Sequence, residues 1–525
     1  MRRRQLSAAL VAGALTVASG LGGAVGSAAA RARPRASADV AVRVGAPVPV
    51  APVSRSFLGL SLEYYELPGT LGGSVNSLNP IFPTLVKLLN PSGLPSLRIG
   101  GESADWIWLP TRGVKRAAPL VYTLTPALES VLAAEAHELN ARYVLDLNLA
   151  ANSDPLAIHE ADSLVSTIGS RYIRALEIGN EPDLYGSLSW SRPPLAPIYA
   201  RPGSYGFNQY LAEFNALARG LPRLATAGPA SGQSVWSELL AAEHSRADRL
   251  GLVTVHRYAL QKCGLSPQSP KYPTVQKLLE PSTAFSLAGL VAPLVRDVHA
   301  HHLPLRVDEL NSAPCFGVPG VSNTFASALW ALQSAFALAE TGVDGINVHT
   351  VPAAAHRLFN FWQTKGTWHG SVFPEFYGFE MFSLAAPAGA QLLRAFSASA
   401  NVTAWATRST TTDRVVLVNT GARQSVTLNV PGAHGPAFTL ALRAGSPKAT
   451  SGITLGDTEI PTGTTTGAFA TTPAIGQIAP SSGGRYLVTL PADSALLLTL
   501  ARSAQPVAPS APAAASSPST STTAP

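Results

Sequence analysis

The segment Leu176-Glu177-Ile178-Gly179-Asn180-Glu181-Pro182-Asp183 runs from an apolar strand directly into an acidic turn. Pro182 lacks the N–H a ladder needs, so the strand stops and the Glu181 carboxyl is left at its C-terminal end. A second segment, Leu305-Arg306-Val307-Asp308-Glu309-Leu310-Asn311, repeats the pattern of an apolar strand ending in acid. Strict alternation along it puts Val307 and Glu309 on one face and Asp308 on the other.

Working outward, short apolar runs at 57–62, 96–100, 143–147, 175–178, 224–227, 252–256, 305–307 and 345–348 alternate with helical patterns such as 125–139, 208–220, 324–341 and 375–384. Strands alternating with helices imply parallel βαβ units. Eight of them predict an α/β fold, a (β/α)8 TIM barrel over 55–385. A doubly wound open sheet would carry a Gly-rich phosphate turn after its first strand, and Leu60-Ser61-Leu62-Glu63-Tyr64 is not one. Past 385 the texture changes to β-rich runs broken by Gly, Pro, Thr and Asp, which predicts a C-terminal antiparallel β-sandwich over 386–502. Residues 38–54, with Val40, Val42 and Val44 alternating, are expected to lend that domain a strand.

The ends of the chain read differently. Residues 1–30 combine three arginines, an apolar stretch and Ser27-Ala28-Ala29-Ala30, the pattern of a secretory signal peptide, by the general or the twin-arginine route. A flexible stretch, 31–37, follows, and 503–525 is an Ala/Pro/Ser/Thr tail with little to bury. The chain of 525 residues carries a net charge of +7, and Arg2, Arg3, Arg4, Arg31, Arg33 and Arg35 all precede Asp39, the first acidic residue. What remains is nearly neutral, which removes the electrostatic case for a nucleic-acid partner. No further stable membrane span is expected, and the protein should be secreted or held at the cell surface.

In a (β/α)8 barrel the C-terminal strand ends form the active site. The first strand ends at Glu63, the second carries Arg98 and leads to Asp105, the third carries Asp146 and Asn148, and the fourth and seventh present Glu181 and Glu309. Two opposed glutamates are what glycoside hydrolysis requires, one as acid and one as nucleophile. The expected roles are Glu181 as acid/base and Glu309 as nucleophile. No H-E-x-x-H, zinc-type cysteine spacing or G-x-S-x-G elbow appears, so neither a metal nor any other cofactor is expected. His299, His301 and His302 precede the seventh strand and belong to the opposite face.

Asn180-Glu181-Pro182 together with Glu309 resembles the clan of retaining (β/α)8 glycosidases. Leu97-Arg98-Ile99-Gly100-Gly101 with Asp105, Glu177–Pro182, and His256-Arg257-Tyr258 resemble motifs of glycoside hydrolase family 79, the heparanase and β-glucuronidase family. That resemblance implies a retaining hydrolase of a β-glycoside or oligosaccharide, β-glucuronidase-like. The alternatives are another specificity of the clan (β-glucosidase, β-xylosidase or arabinofuranosidase) and a non-catalytic exported carbohydrate-binding protein. It further implies that Asn180 bonds the sugar 2-hydroxyl, Tyr258 orients Glu309, Asp105 binds a ring hydroxyl and Arg98 lies beneath the nucleophile. Glu63 is a candidate for a sugar hydroxyl, and His256 reads as a packed histidine rather than a sugar contact. Ala313-Pro314-Cys315-Phe316-Gly317 lacks the tyrosine that follows the nucleophile in heparanase-like members, which leaves His349, His356 and Arg357 as possible donors. Cys263 and Cys315 follow Tyr258 and Glu309 at similar depth on neighbouring strands, so a rim disulfide is expected, with two free thiols as the alternative.

Overall fold

The computed structural model describes residues 39–502 except Ser92 and Ser482. The expected export segment, the stretch after it and the C-terminal tail lie outside these residues. Eight parallel strands close into a barrel in chain order: Leu58–Glu63, Ser96–Gly100, Arg142–Leu147, Ile173–Ile178, Thr226–Ser231, Leu250–Tyr258, Leu305–Asn311 and Gly345–His349. The sixth and seventh run further toward the mouth than the apolar runs suggested, because their ends pair with each other, Asn311 opposite Tyr258.

The barrel interior is layered by alternation along each strand. Near the base, Arg306 is fully enclosed and donates to the carbonyls of Phe57 (3.1 Å) and Ile346 (2.9 Å) and to Asn347. Gly345 makes room for it, since a Cβ there would lie 2.0 Å from the guanidinium. Burial, with Arg174 nearby, pushes Arg306 down to about 9. Arg98 lies one layer closer to the mouth, level with Ser61.

Of the irregularities in the barrel ladder, one on the seventh strand bears on the site. On the seventh strand Val307 pairs with Val255 while Glu309 pairs with His256, so Asp308 is an extra residue in the ladder. Such a bulge redirects the side chains that follow it. Asp308, expected on the outer face, lies inside with Arg306, 3.4 Å from Arg98 Nε, and the bulge brings Glu309 inward too, 3.1 Å from Arg98. Val307 joins the apolar layer between strands and helices instead.

Two helices, Phe325–Ala339 and Pro374–Ala385, are apolar nearly all round, as elements buried on both sides should be. One side meets the barrel and the other the β-domain, where Phe336 stacks on Trp405 and Thr403 donates to Gln333 at 2.7 Å. That domain is one ten-stranded sheet whose two ends share an apolar cluster. Its expected antiparallel pattern is broken at Val40–Pro47, which pairs antiparallel with Gln391–Ser397 but parallel with Gln424–Asn429. A hairpin without a sequence forecast, Phe359–Thr364 with Thr367–Val372, turns at Lys365 and Gly366, both at positive φ (49° and 81°), the geometry such two-residue turns need. Among the described residues no helix is long and apolar enough to cross a membrane.

Candidate active site

Arg98 organises the site. It is fully buried, and its five N–H groups meet five acceptors: Glu177 (2.6 Å), Ser61 (3.3 Å), Glu309 (3.1 Å), Asp146 (3.1 Å) and Asn180 (2.9 Å). The bond to Asn180 takes its carbonyl oxygen and leaves the amide NH2 as the end able to donate elsewhere. Glu309 also accepts from the Tyr258 hydroxyl at 2.6 Å, and His349 Nδ1 lies 3.5 Å from it. Burial alone would favour the neutral acid. His349, His256, Arg98 and the Tyr258 hydroxyl outweigh it and hold Glu309 well below the usual carboxylate range.

Glu181 stands in a different setting. Its side chain is 29% exposed, against 10% for Glu309. Its backbone is left-handed, at φ 45°, ψ 49°, with its N–H bonded to Ala230 O at 2.9 Å. A non-glycine residue rarely holds that conformation unless its surroundings impose it. The carboxyl shares a 2.9 Å hydrogen bond with His256 Nδ1. His256 is thus packed, as expected, but it is packed against Glu181. Burial works against its protonation, yet Glu309 and Glu181 raise it overall. One carboxyl oxygen each of Glu181 and Glu309, with a His256 nitrogen, lie within 4.8 Å of one another. Three such atoms could surround a cation, but the 2.9 Å contact inside the trio is a hydrogen bond, which makes it a proton-sharing group.

The other expected residues sit around the same cavity of about 430 Å³. Asp105 accepts from the Tyr185 hydroxyl (2.8 Å) and the Ala150 N–H (3.3 Å), and burial pushes it up to about 8. Glu63 lines the cavity too, but its oxygens already accept from the N–H of Ser103 (2.8 Å) and Glu102 (3.2 Å) and from the Ser103 hydroxyl. Gly101 permits this, since at φ 71° a Cβ would stand 2.3 Å from Glu63 Oε1. Of the three candidate donors after the eighth strand, His349 and His356 line the cavity, whereas Arg357 bonds Ala354 O and stacks on Phe373. Burial, then His349, pushes His356 down to about 3. His299 pairs with Asp344 at 2.8 Å, just before the eighth strand and so at the opposite end of the barrel.

Sequence reasoning missed one wall. The chain after Glu181 folds back over the mouth, where Trp190 donates to Asp105 O at 2.7 Å and Trp106 donates to Trp190 O at 3.0 Å. The Arg192 guanidinium lies 3.5 Å from the Trp106 ring centre and pairs with Glu102 at 3.1 Å. The density of aromatics between Tyr185 and Tyr205 was the available signal.

Cys263 and Cys315 form the expected disulfide, with Cα atoms 5.8 Å apart, and both line the cavity. The bond closes a separation of 52 residues, for which a chain-entropy argument gives a stabilisation of up to about 4 kcal/mol. The double variant C263S/C315S should therefore unfold at lower denaturant, and its KM should rise because Phe316 loses its anchor. Unchanged midpoint and KM would count against a rim-stiffening role.

Comparison with known proteins agrees with this architecture. No family model matches the chain. A β-glucuronidase of Aspergillus niger is 22% identical over 373 residues, 63% of this chain and 65% of that protein, so the match leaves about a third of the relative unspanned. Among solved structures, a 4-O-α-L-rhamnosyl-β-D-glucuronidase from Fusarium oxysporum 12S aligns at TM-score 0.66 with 18% identity, over 88% of this chain and 100% of that one. A family 51 arabinofuranosidase from Xanthomonas axonopodis pv. citri aligns at 0.61 with 15% identity, over 88% and 99%. A family 30 endoxylanase from Clostridium papyrosolvens C71 aligns at 0.53 with 15% identity, over 88% and 100%. At these identities the likeness establishes the barrel with its attached β-domain.

Proposed function

We propose that the protein is a retaining glycoside hydrolase acting on β-glycosides, β-glucuronidase-like and of the family 79 type. The observation that carries this reading is the pair of carboxyls, with oxygens within 4.8 Å and in contrasting surroundings. Retaining enzymes hold the two carboxyls about 5–5.5 Å apart, inverting ones about 6.5–9.5 Å. In the first step Glu309 attacks the anomeric carbon, the glycosidic bond breaks, and the Glu181 proton passes to the leaving oxygen. In the second, Glu181 takes a proton from water, the water oxygen bonds to the anomeric carbon, and Glu309 is released. His256 keeps its bond to Glu181 in both steps, accepting from the acid or donating to the carboxylate. Asn180 donates to the sugar 2-hydroxyl through the amide that Arg98 leaves free, and Asp105 meets a ring hydroxyl.

Glucuronide specificity is supported by the likeness to the Aspergillus β-glucuronidase and by the hydrogen-bond donors at the cavity. A uronate carboxylate would meet His349 or Arg192, the one arginine or lysine among the described residues that line it. The missing tyrosine after Glu309 favours a second reading, a neutral β-glycoside. A panel of aryl glycosides separates the two. The cross-linked rim fits an exported enzyme, with residues 1–30 as the address.

Removing the acid should distinguish leaving groups. E181Q should lose about 10²–10⁴-fold in kcat on glycosides with poor leaving groups, the usual weight of general acid catalysis. On a dinitrophenyl glycoside, which needs no protonation, the loss in the first step should nearly vanish, and azide should accelerate the second. An equal loss on both substrates would rule out Glu181 as the acid.

A further inference from the structure

Four carboxylates crowd one guanidinium beneath the cavity floor. Arg98 Nε lies 2.6 Å from Glu177 and 3.4 Å from Asp308, while its other nitrogens lie 3.1 Å from Asp146 and 3.1 Å from Glu309. Arg98, Glu177, Asp146 and Asp308 have fully buried side chains. Even with His256 beside Asp308 and Glu309, four ionised acids would outnumber the cations and leave uncompensated charge in the interior, which is costly. At least one must carry a proton. Asp308 makes the longest of the four contacts, and neither of its oxygens has a donor; Glu177 Oε1 is equally without one. The two carboxyls converge on the same Arg98 Nε, at 2.6 and 3.4 Å. One proton between them would satisfy an oxygen on each.

We propose that Asp308 stands in the folded protein as a neutral carboxylic acid donating to Glu177, a positioning residue that keeps a further negative charge away from Glu309. The bulge makes this arrangement: Asp308 points inward with Arg306 by alternation, and the extra residue turns Glu309 inward as well, so that the two acids stand side by side at Arg98. With Asp308 neutral, Glu177 takes Arg98 Nε and Arg98 Nη1 remains for Glu309. The direction of each group agrees. Burial and then Glu177 push Asp308 well up, whereas Arg98 overcomes the burial of Glu177 and holds it down. The charged or titratable groups around Asp308 are Arg98, Glu177, His256, Arg306 and Glu309, and Asp146 shares Arg98 with it.

The test is the pH dependence of stability in D308N, whose amide keeps the shape and the donor. An acid protonated when folded and ionised when unfolded takes up a proton on folding, so its contribution weakens as pH rises. D308N lacks that loss. From about pH 5 to 8 its folding constant relative to wild type should therefore grow, approaching about tenfold per pH unit. In the E177Q background one negative charge is gone, Asp308 ionises onto Arg98, and the same substitution should lose this growing advantage. A flat difference between D308N and wild type overturns the proposal, because it means Asp308 is ionised in both states. Failure of D308N to fold overturns it as well. The activity arm rests on Glu309 as nucleophile. There D308N should leave the acidic limb of kcat/KM in place, and a limb moved to lower pH would show that a charge beside Glu309 had been removed. Should the protein hydrolyse no glycoside, the function above fails and the stability measurements still decide on Asp308.

Discussion

E309Q should lower kcat/KM roughly 10⁴–10⁶-fold, the scale on which removal of a covalent nucleophile is felt. The amide keeps the shape of the acid and can still meet Tyr258, whose hydroxyl lies 2.6 Å from Glu309 Oε1. What it cannot do is form the glycosyl ester. The wild type incubated with a 2-deoxy-2-fluoro glycoside should carry the sugar on the peptide containing Glu309, seen by mass spectrometry, and E309Q should not. The pH profile tests the same assignment from the other side. His349, His256, Arg98 and Tyr258 together overcome burial and hold Glu309 down, so the acidic limb of kcat/KM should fall below about pH 4, the ordinary value for a glutamate. The sign for stability follows: a depressed carboxyl stabilises the fold above its unfolded value, and that contribution is lost as the pH drops through the folded one. E309Q should accordingly be somewhat less stable than wild type at neutral pH. Turnover within about tenfold of wild type would sink the nucleophile and leave a carbohydrate-binding cleft.

Much of this site was legible because it is local. A strand that ends in a polar residue at the mouth of a barrel betrays itself in a few positions, and so Glu63, Asn180, Glu181, Tyr258 and Glu309 could be placed around one cavity, with Arg98 beneath it, from the sequence alone. Asp308 was not legible, because a bulge is a property of two strands: Val307 opposite Val255 and Glu309 opposite His256 leave one residue over, and no pattern within the seventh strand announces it. The Trp106–Trp190–Arg192 wall was hidden for a similar reason. Its members come from the connections after the second and fourth strands and are joined by contacts to backbone carbonyls. Glu63 is the converse case. Its position was right, but two backbone N–H groups and a serine hydroxyl from a neighbouring segment occupy its oxygens, and the competition for a side chain cannot be read from that side chain.

R98L should cost the protein both its fold stability and its chemistry. Replacing one member of a buried ion pair destabilises by about 3–5 kcal/mol, since the partners stay behind uncompensated. Here the partners are Glu177, Asp146 and Glu309, and among the described residues Arg98 is the one arginine or lysine paired with any of them. They can respond only by taking up protons, which is easier in acid. The loss in R98L should therefore be smaller at about pH 5 than at pH 8, measured as the shift in denaturant midpoint, because protons offset the missing charge. R98K separates charge from geometry. The ammonium keeps the cation but offers three donors in place of five in a fixed fork. It cannot serve Glu177, Ser61, Asp146, Asn180 and Glu309 together. R98K should then recover much of the stability at neutral pH while kcat stays well below wild type, because Asn180 and Glu309 are the contacts nearest the cavity and the first to be misplaced. Wild-type turnover in R98K would show that the guanidinium supplies charge alone, and that the alignment of Asn180 with Glu309 is set elsewhere.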